Sequence, residues 1–205
     1  MELRPAYPIR TARLALRPYV ESDLEAVLDL NSRPDVVRYI PWGVLDREGA
    51  AALIQRRLGE TAITPECNRI LVAATIPPDD RVVGEFMLKV LSEPHGRGEI
   101  GWSLHPDVQG HGYATEGATA MLRLGFEELG LHRIVAGADS RNAPSLAVME
   151  RLGMRHEAQL RDDEWFKDEW SDTTIYGILE DEWRASVGSS GRLRRPRRGA
   201  AGSRR

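Results

Sequence analysis

A turn that contains two glycines joins a strand to a long amphipathic helix, and it constrains the fold of this chain more than any other feature. The strand is predicted over residues 99–104, Gly110 and Gly112 follow, and the helix covers residues 114–129. The helix has one apolar face: Ala118, Met121, Leu122, Phe126 and Leu129. Glycines let the main chain approach a ligand closely, and a helix N-terminus offers free N–H groups and partial positive charge. The turn therefore predicts a site for a phosphate or pyrophosphate group.

Two common phosphate-binding motifs do not fit this turn. A P-loop ends in Gly-Lys-Ser or Gly-Lys-Thr, and the turn has neither. A dinucleotide fingerprint would use Gly110 and Gly112, with Asp139 at the end of the next strand. However, residues 105–109 separate the strand from the first glycine, and Thr115 stands where the third glycine or alanine belongs. The strand meander before the turn also argues against a doubly wound sheet, so this alternative is the weaker one.

The periodicity of the rest of the chain predicts one α+β domain over residues 1–187. Strands are predicted at 14–17, 69–76, 82–90, 99–104, 133–138, 154–160 and 173–179. Helices are predicted at 22–31, 34–40, 46–58, 114–129 and 144–152. An antiparallel meander is followed by strand–helix–strand–helix–strand, which is typical of an α+β protein.

Composition points to a cytoplasmic protein without a metal site. Hydrophobic residues make up 41% of the chain and charged residues 29%, and no segment approaches the roughly 20 apolar residues that span a membrane. The N-terminus lacks the apolar segment of a signal peptide, and the single cysteine, Cys67, has no disulfide partner. No metal-ligand spacing occurs among the five histidines: His95, His105, His111, His132 and His156.

Residues 188–205 form a segment of different composition. They contain seven arginines, no acidic residue and one large apolar residue, Leu193. We expect this tail to be disordered, because it cannot bury enough surface to offset its ordering entropy. Without the tail, the chain keeps 21 of its 28 basic residues and all 31 acidic ones. The body is therefore acidic and gives no sign of nucleic-acid binding. The tail could touch RNA or a ribosome through counterion release, although a solvated tail without a role fits the composition better.

Four segments, in order, resemble the GNAT superfamily of N-acetyltransferases. Gln109, Gly112 and Ala114 match its Gln-x-x-Gly-x-Ala signature for acetyl-coenzyme A (acetyl-CoA). The other segments are TARLALRP at 11–18, NAPS with MERLGM within 142–154, and WSD, YGIL and EW within 170–183. Together they resemble the branch that contains ribosomal-protein N-terminal alanine and serine acetyltransferases. The resemblance implies the GNAT fold, with a mixed, mostly antiparallel central sheet of about six to seven strands flanked by helices.

The resemblance also implies roles for individual residues toward acetyl-CoA. The main chain of Trp102 and Leu104 would bind the pantetheine arm as an added strand does. Asn142 would hydrogen-bond the pantetheine or phosphate portion, and Ser145 would lie near the thioester sulfur and protonate the leaving thiolate. Both residues are also explained as ordinary helix-start residues. The pyrophosphate would lie on the N–H groups of the cofactor loop: Gln109, Gly110, His111, Gly112, Tyr113, Ala114 and Thr115.

Direct acetyl transfer requires a neutral amine, and two glutamates are candidates for its base. Glu99 begins the strand that leads to the turn. The resemblance makes Glu164, in the segment 161–170 that we predict as a loop, the counterpart of the base in related N-terminal acetyltransferases. A solvated carboxylate explains each residue equally well, and a water relay is an alternative. An α-amine, with a pKa near 8, demands less of a base than a lysine, with a pKa near 10.4.

The acceptor is the least determined part of the prediction. The acids of the segment 161–170, together with Trp165, Phe166 and Trp170, favour a cationic acceptor, and Trp42 is a candidate for another wall of its pocket. The first hypothesis is an N-acetyltransferase for a protein N-terminus or a small amine. The second is an acetyl-CoA-binding regulatory module without turnover, and the third is RNA binding by the tail. A homodimer is expected from family analogy alone.

Overall fold

The structure is a computed structural model that describes residues 1–40 and 42–190. Its strands are β1 (Ile9–Arg10), β2 (Ala15–Arg17), β3 (Arg69–Thr75), β4 (Val82–Ser92), β5 (Arg97–Leu104), β6 (Arg133–Asp139), β7 (Arg155–Phe166) and β8 (Glu169–Leu179). Its helices are α1 (Leu24–Asn31), α2 (Pro34–Val37), α3 (Arg47–Arg57), α4 (Tyr113–Arg123), α5 (Ala143–Arg151) and α6 (Glu180–Ser190).

All strands form one sheet in the order β1-β2-β3-β4-β5-β6-β8-β7. Only β5 and β6 run parallel, and the other neighbours are antiparallel. The predicted α+β class and the mixed, mostly antiparallel sheet are confirmed. The sheet has eight strands rather than six to seven, because two residues, Ile9 and Arg10, pair with β2. A strand of that length has no periodicity for sequence analysis to detect.

The core lies on both faces of the sheet, and β3 is buried on both. Ile70 and Val72 join the cluster that includes α4, whereas Leu71 and Ala73 join a second cluster with α1 and α3. Two-sided burial explains why β3 reads as a continuous apolar run rather than an alternating one.

Helix α4 lies very close to the sheet beside the two-glycine turn. A Cβ on Gly117 would come within 2.1 Å of the ring of Phe86, which is fully buried in β4. The helix predicted over residues 114–129 is α-helical through Arg123 and continues as a π-helical turn over Leu124–Glu128. The wider turn sets Gly125 against the side chain of Ile134 on β6. Gly117 thus allows the close approach of α4 to β4, and Gly125 allows that of the π-helical turn to β6.

The segment 161–170 is not a loop, and that prediction was wrong. Strands β7 and β8 form a long hairpin whose two-residue turn, Lys167 and Asp168, has φ values of 54° and 60°. These values are typical of the turns that match strand twist. The pairing brings the rings of Trp165 and Trp170 into an edge-on contact with centroids 5.3 Å apart. Charged residues in this exposed hairpin hide the alternation that predicts a strand.

The chain continues from β8 into α6, which runs through Ser190 and thus passes the predicted boundary at residue 187. The remainder of the predicted tail, residues 191–205, lies outside the described residues, so its expected disorder stays a prediction. In the described part of the chain, no helix has the length and apolar character needed to cross a membrane.

We expect Gly117→Ala to lower the free energy of unfolding by about 1–3 kcal/mol, because the added methyl group overpacks the contact with Phe86. Alanine in an exposed helix interior would instead stabilise by up to about 1 kcal/mol. Urea denaturation measures the difference. Gly59→Ala is the control, because a Cβ there meets nothing within 4 Å. A stabilised Gly117→Ala variant would contradict the close approach of α4.

Candidate functional site

A cavity of about 840 Å³ opens where β5 and β6 separate. Residues 97–99 pair with residues 133–135, and no further pairs join the two strands. Beyond that point, residues 100–104 and 136–139 line the cavity. Strand β5 remains paired with β4 as far as Leu104, so only its edge toward β6 is open. An open strand edge presents N–H and C=O groups to an extended ligand.

The cofactor loop joins the end of β5 to α4 at one end of this cavity. The side chain of Gln109 donates from Nε2 to the carbonyl of Leu104 at 3.0 Å, which fixes the loop to the strand it follows. Gly110 and Gly112 have φ values of 78° and 82°, a region that side-chain-bearing residues rarely adopt. The two glycines therefore allow the chain to turn from the strand directly into the helix.

The N–H groups of residues 110–115 face no protein acceptor within the described residues. The first helical hydrogen bond of α4 runs from the N–H of Glu116 to the carbonyl of Gly112 at 3.1 Å. Free N–H groups and the positive end of the helix dipole make this loop a site for an anion.

Helix α5 starts at the opposite wall of the cavity, directly after β6. Asn142 caps it: its Oδ1 accepts from the N–H of Ser145 at 3.3 Å. Both residues line the cavity. The hydroxyl of Ser145 has no hydrogen-bond partner among the described residues, so it is available to donate to a ligand.

The other end of the cavity is lined by α2 and the residues just after it. Asp35, Val36, Tyr39 and Ile40 lie on the cavity, and Tyr39 donates its hydroxyl to the carbonyl of Arg141 at 3.3 Å. The turn of the β7–β8 hairpin holds α2 in place. Its Lys167 donates from Nζ to the carbonyls of Val37 and Arg38, the second at 2.9 Å.

Asp139, at the end of β6, carries a fixed negative charge at this end of the cavity. Hydrogen bonds from the side chain of Arg141, at 2.7 and 2.9 Å, lower the pKa of Asp139 and outweigh the opposing effect of burial. Its side chain is 3% exposed. A carboxylate held in this way is a poor proton acceptor and a good structural anion.

Comparison with known proteins identifies the family. The acetyltransferase (GNAT) domain family matches residues 13–155. The chain is 35% identical to the uncharacterized N-acetyltransferase YnaD of Bacillus subtilis over 175 residues. The aligned region covers 85% of this chain and 98% of that protein. It is 29% identical over 194 residues to the FsC-acetyl coenzyme A-N(2)-transacetylase of Aspergillus fumigatus, and the aligned region covers 91% of this chain and 78% of that protein. The crystal structure of a GNAT-family acetyltransferase from Bacillus anthracis superimposes with a TM-score of 0.75 at 34% identity. The match covers 84% of this chain and 98% of that one.

The chain belongs to the GNAT acetyltransferase family. The family and the GNAT fold predicted from the sequence are confirmed. The GNAT domain also brings together, on one cavity, all of the predicted cofactor residues except His111: Trp102, Leu104, Gln109, Gly110, Gly112, Tyr113, Ala114, Thr115, Asn142 and Ser145. His111 does not line the cavity; its Nδ1 lies 2.8 Å from the carbonyl of Gln109, and its ring stacks with the ring of Tyr113 at a centroid distance of 6.0 Å.

Neither predicted base of the GNAT reaction lies on the cavity. Glu99 lies where β5 and β6 are still paired, and its carboxylate is 3.9 Å from Nζ of Lys89 on β4. Glu164 is exposed on β7, opposite Ser171 of β8. Trp42 is also absent from the cavity lining, and its Nε1 donates to Oδ1 of Asn31 at 3.1 Å.

The structure adds Asp35, Tyr39 and Asp139 to the site. From the sequence, Asp139 has a role only in the dinucleotide alternative, and α2 has none. The one available signal was the position of Asp139 at the end of a predicted strand, beside the helix that starts at Pro144. Residues in α2 gave no signal, because their place on the cavity depends on contacts with Arg141 and Lys167, more than 100 residues away.

We expect Asp139→Asn to destabilise the protein by roughly 1–3 kcal/mol at about pH 7, because charged hydrogen bonds to Arg141 are lost. The pKa of Asp139 is lowered in the folded protein, so its contribution is complete above the usual value of 3.8 and fades as the pH falls below it. Denaturation midpoints from about pH 7 to about pH 3 check this. The control is Glu169→Gln, which removes a partner of Arg141 that is 54% exposed. A difference from wild type that stays constant at low pH would contradict the ionised Asp139.

Proposed function

We propose that this chain is a cytoplasmic, acetyl-CoA-dependent N-acetyltransferase that moves an acetyl group directly to a primary amine. One observation carries the proposal: an open strand edge, a loop of free N–H groups and an unpaired carboxylate line a single cavity. The family supplies the chemistry, and the A. fumigatus relative has acetyl coenzyme A in its name.

The donor fits the two features that lead from β5 into α4. The pantetheine arm would lie along residues 100–104 and bond the main chain of Trp102 and Leu104, as an added strand does. Its pyrophosphate would then meet the N–H groups of residues 110–115 at the helix N-terminus. The strand and the loop are consecutive in the chain, so one extended ligand satisfies both.

The thioester would lie between two walls of the cavity. One is the start of α5, with its cap Asn142 and Ser145, and the other is the open edge of β5. The amine nitrogen attacks the thioester carbonyl, the carbon–sulfur bond breaks, and the sulfur leaves as a thiolate. The unpartnered hydroxyl of Ser145 is available to donate a hydrogen bond to that thiolate and to relay a proton to it from water, which restores the hydroxyl. The proton that the amine loses must leave at the other side of the cavity.

The acceptor end contains one carboxylate that is available for this purpose. Asp35 lies on the cavity and makes no ion pair among residues 1–40 and 42–190, whereas Asp139 is held by Arg141. We propose that the carboxylate of Asp35 attracts the ammonium form of the acceptor, accepts one proton from it and passes that proton to water. The acceptor itself, a protein N-terminus or a small amine, is open, and a homodimer stays a prediction from family analogy.

The first experiment mixes the protein with acetyl-CoA and a panel of amines, and detects free coenzyme A with a thiol reagent. The panel contains peptides with free α-amines, polyamines and amino sugars, with acetylated peptides as controls. Amine-dependent release of thiol supports the proposal. Tight binding of acetyl-CoA without release for any acceptor would instead favour the alternative, a regulatory module without turnover.

We expect Gly112→Val to weaken acetyl-CoA binding about 100-fold or more, because the side chain keeps the phosphates from the free N–H groups. Valine at a φ of 82° also strains the backbone by about 1–2 kcal/mol. Gly153→Val is the matched control: its φ is 78° and it lies outside the cavity. Titration calorimetry compares the variants, and equal affinities would refute this placement of the pyrophosphate.

We expect Asp35→Asn to lower kcat/KM for the amine about tenfold and to leave the KM for acetyl-CoA unchanged, because one charged contact with the acceptor is lost. Glu99→Gln and Glu164→Gln test the rival candidates in the same assay. A larger loss in either variant would assign the base to that glutamate instead of Asp35.

A further inference from the structure

The tip of the β7–β8 hairpin, residues 161–170, exposes two tryptophans that the proposed reaction does not use. Trp165 and Trp170 are 58% and 55% exposed, although their rings contact each other edge-on. A pair of large aromatic side chains in water marks an interaction surface more often than a single exposed apolar residue does. The same ten residues contain five acidic and two basic side chains. The hairpin tip is therefore both aromatic and acidic.

Most of the acids in the hairpin tip have no basic partner. Glu169 pairs with Arg141 at 2.7 Å. The other four are exposed and make no ion pair within residues 1–40 and 42–190: Asp162, Asp163, Glu164 and Asp168. Of the two basic residues, Lys167 donates to main-chain carbonyls of α2 and of Arg38. Unpaired carboxylates beside exposed rings attract guanidinium groups, which bond the first and stack on the second.

The backbone of β7 shows that the hairpin tip presents side chains rather than a strand edge. Residues 161–163 bulge out opposite Asp172 of β8. Oδ1 of Asp172 accepts from the N–H of Asp162 at 3.0 Å and holds the bulge, in which Asp162 has a φ of 49°. A bulge in an edge strand blocks the addition of a further strand. Edge-to-edge pairing with a second copy of the chain is therefore disfavoured.

Residues 191–205, which lie outside the described residues, have the complementary chemistry. They contain seven arginines and no acid. One exposed contact between an arginine and an aromatic ring strengthens binding only about two- to fivefold, which is too little to hold a separate peptide. A segment of the same chain is present at an effective concentration on the order of millimolar, so several weak contacts suffice. Charge and tethering together favour the chain's own arginines as the occupant.

The course of the chain from β8 through α6 permits this contact. Trp183 of α6 stacks on Phe126 with centroids 6.0 Å apart, and both belong to the core cluster that includes Tyr176 of β8. By strand alternation, Trp170 lies on the same face of β8 as Tyr176. Strand β8 and α6 place Ser190 at most about 50 Å from Trp170. Residues 191–205 span about 50 Å when extended, so their length is sufficient.

We propose that residues 191–205 bind the hairpin tip of their own chain, with arginine side chains on Trp165, Trp170 and the unpaired acids. The hairpin tip also holds α2 through Lys167, and α2 lines one end of the cavity. The bound segment would therefore place positive charge beside that end of the cavity. A second copy of the chain is the competing occupant.

The first experiment follows trypsin cleavage within residues 191–205 of the full chain by intact mass, because a bound arginine is protected. We expect Asp163→Asn combined with Asp168→Asn to raise the initial rate about three- to tenfold, since two unpaired acids are removed. Glu48→Gln combined with Glu128→Gln is the matched control, because it removes two exposed acids elsewhere and should leave the rate unchanged. Equal rates in the hairpin variant and the wild type would overturn the proposal. A wild-type rate that falls as the protein concentration rises would assign the surface to a second copy, and would also overturn it.

The second experiment locates the contact through the indole N–H signals in NMR spectra of the full chain. Glutamine replaces all seven arginines of residues 191–205 in the variant. We expect the signals of Trp165 and Trp170 to shift from their wild-type positions, and that of Trp183, which is 5% exposed, to stay unchanged. Salt at about 0.5 M should move the wild-type signals toward those of the variant, because it screens exposed charges. Identical spectra for the two hairpin tryptophans would refute binding at the hairpin tip.

Discussion

Strands β5 and β6 stop pairing after Glu99 and Val135, and the arrangement of the site depends on the place where they stop. Strand β5 stays in the sheet through its pairing with β4, so one of its edges is left with N–H and C=O groups that need partners. Each of the two strands is followed by a helix, α4 after β5 and α5 after β6. The first residues of both helices therefore line the same cavity, and an extended, phosphate-bearing ligand fits the groups exposed there.

The two ends of the cavity obtain their electrostatic potential from different groups. At the donor end, the backbone itself supplies the charge: free N–H groups, the helix dipole and glycines with positive φ, with Arg13 cancelling the one acid in the first turn. At the acceptor end, side chains supply it. Asp139 is kept ionised by Arg141, and Asp35 is left without a partner in the described part of the chain. The cavity thus combines positive potential at one end with negative potential at the other, as the proposed donor and acceptor would require.

This division explains what the sequence could predict. Gly110, Gly112 and Gln109 act through contacts within a few residues, so their spacing alone indicates the cofactor loop. The place of Glu99 on the paired part of β5 depends on where two strands separate, which no local pattern records. Glu164 was assigned to a loop that is a hairpin, because its charged neighbours hide the strand period. The strand β1 was missed because two residues carry no period.

The acceptor end is also the part of the site that can change without affecting the donor end. Its wall, α2, has one helical turn and is held by Lys167, 129 residues away from Arg38 in the chain, and by the contact of Tyr39 with Arg141. Neither contact touches the cofactor loop. Substitutions in the turn of the β7–β8 hairpin would move α2 and reshape this end of the cavity, while β5, α4 and α5 keep the other end unchanged. Under the proposed function, this separation would let one donor site be combined with different acceptor pockets.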